Sequence, residues 1–324
     1  MDCHWVFLIP MWIKLDRESL KQMRPTLRQL EYLVAIADTG KFGDAAKRMN
    51  VSQPSLSTQV ADMEAYLGAS LVERGRKGAM MTAIGADCVA RARLVLRQVE
   101  DLKTLARQGD DILAGNIRLG VLPTIGPYLL PAATKRLHDA YPELRISVSE
   151  ARTIDLDVGL RTGRLDVIIS TAKDHPELAS VYLCHETLWV CTADDDPLSQ
   201  DKSPIRIDEL KGKSLLTLGP GHRLSSIIGE LARIAGAHIS SEYTGTSLDA
   251  TRQTATMGGG VAVLPSLYAL SEARRDPDLI VRRIDHEAAQ RDIHLCWRES
   301  SPLAKKFQTL GEELSNIASE LSGE

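Results

Sequence analysis

Between Thr26 and Thr82, short apolar-periodic runs each stop at a residue that tolerates a left-handed backbone, and this punctuation leaves little choice of fold. Leu27, Leu30, Val34 and Ala37 recur at helical spacing, and Gly40 closes the run. Phe42, Ala45, Ala46 and Met49 form the apolar face of a second, shorter helix, after which Asn50 can take the left-handed turn. Ser52 then caps a third helix, with Pro54 tolerated in a first turn that needs no N–H from it. Leu56, Val60, Met63 and Leu67 lie on one side of this helix, and Gly68 ends it. The stretch LVERGRKGAMMT follows as two short strands about a basic, glycine-bracketed turn. Three helices with a tight second turn and a hairpin make a winged helix-turn-helix.

Thr82 caps the next predicted helix, which runs to about Arg107. Cys88, Val95 and Leu102 repeat every seven residues on it, joined by Ile84, Val99 and Leu105, while Arg91, Arg93, Arg97, Glu100, Asp101 and Lys103 occupy other faces. A heptad stripe on one long solvated helix asks for a partner helix, so this element is expected to dimerise; packing on its own domain is the alternative. After Gly115 strands alternate with helices: IRLGVL, LRISVS, LDVIIS, TLWVCT, SLLTL, VAVLP and finally IHLCW before a terminal helix from Pro302 to Leu321. Such βαβ texture predicts mostly parallel sheets with ligands at the carboxyl ends of strands. The late return to a strand implies two α/β lobes that exchange chain.

The expected organisation is α/β. Residues 1–23 form an extension, either disordered or upstream of a native start at Met23; a winged helix-turn-helix spans 24–82 and a linker helix 83–112. A two-lobed α/β effector domain of periplasmic-binding-protein type occupies 113–324, lobe 1 taking about 113–186 and 289–324 and lobe 2 about 187–288.

An α-helix fits the major groove, and the start of a recognition helix offers side chains and free N–H groups. Here that start carries Ser52, Gln53, Pro54, Ser55, Ser57, Thr58 and Gln59. The two glutamines suit adenine edges and the hydroxyls suit phosphates or bases. Arg74, Arg76 and Lys77 put positive charge on the wing. The charge distribution agrees: residues 23–110 hold 13 Lys and Arg against 10 Asp and Glu, whereas 111–324 hold 23 against 30, within a chain of net charge −4.

Composition removes other classes. The longest apolar run, Trp5 to Ile13, is interrupted by Pro10 and falls short of the ~18 residues a membrane span needs; it is also a poor signal peptide. Five cysteines (Cys3, Cys88, Cys184, Cys191, Cys296) contain no C-x-x-C pair, which fits a reducing cytoplasm and argues against a disulfide framework or zinc site. The histidines show no metal-ligand spacing, and neither Gly-x-Ser-x-Gly nor a P-loop is present, so nothing supports an enzyme or a bound cofactor. A solute-binding transport protein shares the α/β lobes but predicts a secretory signal and no DNA-binding domain.

The segment from LRQLEYLVAIADTG through VSQPSLS and LVERGRKGAMMTAIG resembles the DNA-binding domain of LysR-type transcriptional regulators, and the resemblance extends over roughly residues 24 to 320. GNIRLGVLPTIGPYLLP, LGPGHRLSS, TSLDATRQTATMGGGVAVLP and WRESSPL are similar to the OxyR-like, peroxide-sensing branch. The resemblance implies a homodimer or homotetramer that binds double-stranded operator DNA, responds to a small effector between its lobes and, when activating, contacts RNA polymerase. In that branch a reactive cysteine follows the Gly-His matching Gly221-His222, with a second nine residues later; here those positions are Arg223 and Ala232. A thiolate attacks peroxide and an arginine cannot, so sensing by that pair is excluded. A redox response through the other cysteines is the remaining alternative, weakened by their apolar strand contexts.

The resemblance further implies that Thr124, Thr153, His222 and Ser247 line the cleft between lobes. Thr153 and Ser247 each precede a predicted helix, so they either hold a polar ligand or serve as plain N-caps. Arg223 either pairs with a neighbouring acid or offers its fork to an anionic effector such as an organic acid.

Overall fold

The computed structural model describes residues 25–75, 78–107, 113–245, 247–276 and 278–322. The expected extension and the wing residues Arg76 and Lys77 lie outside the described residues. The chain divides into two compact units meeting between Leu96 and Arg97.

In the first unit, α1 (Leu27–Thr39), α2 (Phe42–Arg48) and α3 (Gln53–Leu67) precede a hairpin of β1 (Val72–Gly75) and β2 (Gly78–Met81). Local chemistry sets the boundaries. Thr26 and Gln29 form a reciprocal capping box, Ser52 Oγ accepts from the Ser55 N–H, and Gly40 and Gly68 close α1 and α3 in left-handed backbone. Asn50 takes φ 54°, the positive value expected of the turn before the third helix.

Two apolar stripes fall elsewhere than expected. On α1 the buried face is Tyr32, Leu33 and Ile36 with Gln29, while Leu27 is exposed and Leu30, Val34 and Ala37 only pack against the core edge. Gln29 can lie inward because its amide donates to the Gln59 carbonyl at 3.2 Å. On α3 the stripe ends at Met63; Leu67 is exposed because the closing turn returns through Glu64, whose Oε1 accepts from the Leu71 and Val72 N–H groups.

Helix α4 (Ala83–Arg107) begins at Thr82, whose Oγ1 accepts from the Gly85 N–H at 2.9 Å. A Cβ at Gly85 would stand 2.0 Å from the Leu71 carbonyl oxygen, so this first turn requires glycine. Of the heptad series, Ile84, Val95 and Leu102 are exposed and Cys88 is half-buried.

The second unit is built on one mixed sheet rather than the mostly parallel sheets expected. Its order runs β4 (Leu144–Glu150), β3 (Gly115–Val121), β5 (Val167–Ser170), β12 (Gln290–Arg298), β6 (Leu178–Cys191), β10 (Val261–Pro265), β8 (Ser214–Leu216) and β9 (His238–Ile239). Short β7 (Ile205–Arg206) joins through β11 (Val281–Asp285). The β3/β4, β3/β5 and β8/β10 pairs are parallel, but β12 runs antiparallel to both β5 and β6, and β6 antiparallel to β10 and β11.

TLWVCT is the end of β6, a 14-residue strand whose first part pairs with β12 and whose last residues pair with β10 and β11. One core gathers Leu119, Ile168, Leu295 and Phe307; another gathers Leu188, Leu216, Ile228 and Leu264. Thus β6 and β12 cross from one lobe to the other. The remaining helices are α5 (Gly126–Ala140), α6 (Thr153–Arg161), α7 (Arg223–Ala235), α8 (Leu248–Thr256), α9 (Ser266–Arg275) and α10 (Ala304–Ser322). Among the described residues no helix is long and apolar enough to cross a membrane.

Candidate functional site

The amino end of α3 exposes Ser52, Gln53, Pro54, Ser55 and Thr58, while Leu56 and Val60 anchor the opposite side. Ser57 and Gln59 are half-buried, and Gln59 is held by Gln29 through both its carbonyl and its side-chain oxygen. Arg74 on β1 is exposed, its guanidinium 4.6 Å over the Phe42 ring. This surface combines hydroxyls, an amide, free helix N–H groups and a fixed cation, a set suited to phosphates and base edges.

In the second unit, β3, β4 and β5 run parallel and end at the same side of the sheet, and the segments after β4 and β5 face the turn that starts α7. Gly221, at φ 88°, brings that turn against Arg152; a Cβ there would stand 3.4 Å from the guanidinium. His222 occupies the N-cap of α7 and Arg223 its first residue. Burial, with Arg152 nearby, lowers the His222 pKa. Arg223 Nη1 lies 3.4 Å from Asp174 Oδ1, so it does pair with an acid, yet loosely: Arg223 Nε and Asp174 Oδ2 are buried without partners.

Arg223 lines two adjoining cavities. One, of about 330 Å³, takes in Thr153, Asp157, Asp174, His175 and His222. The other, of about 650 Å³, takes in Thr171, Lys173, His185, Arg291 and His294. Thr153 Oγ1, Thr171 Oγ1 and His294 Nδ1 are also buried and unpartnered. Buried polar atoms are normally satisfied, so their concentration around these cavities marks a place where a polar ligand or water completes the bonding.

The sequence-predicted residues divide. Thr153, His222 and Arg223 meet at the smaller cavity. Thr153 is the first residue of α6, with Arg152 at the N-cap, so its hydroxyl caps nothing, contrary to the N-cap reading. Ser247 does cap α8, accepting from the Ala250 N–H at 3.2 Å, and lines neither cavity. Thr124 is buried and accepts from Arg291 Nη2 at 2.9 Å, supporting the wall of the larger cavity rather than lining it. Sequence reasoning missed Asp174, Thr171 and Arg291; the one signal for the last was its place in QRDIHLCW, two and four residues before Ile293 and Leu295 on the same strand alternation.

Cys191 on β6 and Cys296 on β12 are poor redox centres. Burial pushes the Cys191 thiol up to about 11 and that of Cys296 up to about 12, which suppresses thiolate near neutral pH.

Family models match both units. The model "Bacterial regulatory helix-turn-helix protein, lysR family" covers residues 27–86, and "LysR substrate binding domain" covers 111–318. The chain is 35% identical over 289 residues to the transcriptional dual regulator OxyR of Escherichia coli, spanning 89% of this chain and 94% of that one. The structure of full-length OxyR from Pseudomonas aeruginosa, solved as a point variant, is 31% identical and superposes with a TM-score of 0.75, covering 90% of this chain and 98% of its own. CbnR, solved with its target DNA, is 23% identical with a TM-score of 0.52, covering 90% and 99%, and shares the fold. The chain belongs to the LysR family of bacterial DNA-binding transcription regulators.

Proposed function

We propose that this LysR-type regulator reads operator DNA through the amino end of α3 and the wing, and is modulated by a small anionic effector in the cleft around Arg223. Ser52, Gln53, Pro54, Ser55, Ser57, Thr58 and Gln59 supply the groove-facing end, and Arg74, Arg76 and Lys77 the backbone-facing charge. The α4 stripe of Ile84, Val95 and Leu102, exposed in the single chain, associates with a second copy to give a homodimer or homotetramer. The protein works in the cytoplasm and contacts RNA polymerase where it activates. In this division residues 24–82 bind DNA, 83–112 couple, and 113–324 form the effector domain.

The observation that carries the effector reading is the loose Arg223–Asp174 pair with unpartnered atoms on both sides. A carboxylate or phosphate accepting from Arg223 competes with Asp174 and alters the tie between α7 and the segment after β5. Thermal shift with an organic-acid panel tests this. At least one acid should raise the wild-type melting temperature and leave Arg223→Ala unmoved; equal shifts in both proteins refute the assignment. Mapping of bound genomic sites would then narrow the effector through the neighbouring genes.

A further inference from the structure

Strand β1 of the wing sends alternate residues to opposite faces, so Val72 and Arg74 share one side of the hairpin and Glu73 takes the other. Val72 is buried, and so is Ala79 on β2, the residue paired with Arg74 across the hairpin. Arg74 therefore leaves the inner face at its rim, where it is exposed and lies with its guanidinium 4.6 Å over the Phe42 ring. Phe42 is the first residue of α2 and is half-buried against the core of the first unit. Among the described residues Arg74 makes no ion pair or hydrogen bond, and the ring is its one partner.

Two further contacts fix the wing on the turn that carries the ring. The Ala79 N–H donates to the Gly40 carbonyl at 2.8 Å, two residues before Phe42. Gly78 takes φ 133°, and a Cβ there would stand 2.5 Å from that same carbonyl oxygen. Because Arg74 pairs with Ala79, the bond at Gly40 also sets where the Arg74 side chain starts. Where its guanidinium ends is left to the ring. The face of a phenyl ring is electron-rich and attracts the cation, while the N–H donors at the cation's edge stay unspent.

We propose that Phe42 is a positioning residue for DNA binding: its ring face holds the Arg74 guanidinium in place for a backbone phosphate, and keeps its contact with that group in the complex. The inference rests on the reading that Arg74 faces the DNA backbone, and adds what holds the side chain there. Ordering a long arginine on a phosphate costs rotamer freedom, and a side chain already held over a ring has given up part of it before DNA arrives. What matters at position 42 is then the charge distribution of the ring face as well as its volume, and the two can be varied separately.

Phenylalanine analogues with one, two and three ring fluorines, placed at position 42 alone in the full-length chain, withdraw electron density from the ring face at nearly constant shape. A mixed-sequence duplex is the probe, because a phosphate contact does not depend on sequence. Its affinity should fall stepwise along the series, by about two- to fivefold in total for each wing, the size of an exposed cation–π contact. The melting temperature and the salt slope should stay as in the wild type. Arg74→Ala should reduce the salt slope by about 1 and abolish the sensitivity to fluorination. Affinity that stays flat along the series while Arg74→Ala still reduces the slope overturns the inference and leaves the DNA reading intact. A decline that persists in Arg74→Ala, or that follows a falling melting temperature, also overturns it. Arg74→Ala without effect on affinity or slope overturns both the inference and the Arg74 contact it rests on.

Discussion

Arg291 and Glu186 stand directly opposite each other on β12 and β6, and the guanidinium donates through Nε to Glu186 Oε2 at 2.7 Å in a fully buried setting. Nη2 also reaches that oxygen, at 2.6 Å, and donates to Thr124 Oγ1 at 2.9 Å. The pair therefore ties the two crossing strands to the loop that enters α5. Burial raises the Glu186 pKa even with the guanidinium beside it, so the carboxylate depends on its partner.

Removing one partner should cost far more than removing both. Arg291→Met leaves a buried unpaired acid and is expected to destabilise the second unit by about 3–5 kcal/mol, whereas Arg291→Met with Glu186→Leu should recover most of that loss. Urea unfolding midpoints of the two variants check the expectation.

On DNA, Gln53 and Arg74 should separate by kind of effect. Gln53→Ala is expected to cost about 1–3 kcal/mol on the preferred operator and little on other sequences, as for a base contact. Arg74→Ala should weaken all sequences alike and reduce the salt slope by about 1. Anisotropy titrations at several salt concentrations distinguish them, and a sequence-selective loss from Arg74→Ala would contradict its backbone role.

His222 makes the stability depend on pH in a defined direction. Its folded pKa lies below the ordinary histidine value of about 6.5. The unfolded chain therefore binds its proton first on acidification, and the contribution of neutral His222 is present above about pH 6.5 and lost as pH falls toward the folded value. Melting temperatures measured from neutral to mildly acid pH should fall less steeply for His222→Gln than for wild type.

Thiol reactivity should follow burial. In a Cys3→Ser background at neutral pH, half-buried Cys88 is expected to react with an aromatic disulfide reagent well before Cys184, Cys191 and Cys296. Mild peroxide should form no intramolecular disulfide that changes DNA affinity. Mass spectrometry of the treated protein reads both outcomes, and such a disulfide would establish a redox response.

Much of the first unit was legible because its signals are local. A cap such as Ser52, a left-handed Gly40 or Gly68, and the turn at Asn50 depend on hydrogen bonds and φ values within about four residues, which the sequence displays directly. Which stripe faces inward was less legible. Gln29 is buried on α1 because of a carbonyl 30 positions away, and that partner decides between Leu33 and Leu27.

The sequence by itself determined the helix-turn-helix, the long helix and the α/β alternation. Tertiary structure decided the rest. Only the antiparallel crossing of β6 and β12 brings Arg291 to Glu186, 105 positions away, and to Thr124, 167 positions away. Only the meeting of the α7 turn with the segment after β5 leaves Arg223 and Asp174 half-paired over two cavities. A charge buried in a strand declares that it must have a partner, but which partner depends on how the lobes exchange chain, and no local propensity encodes that.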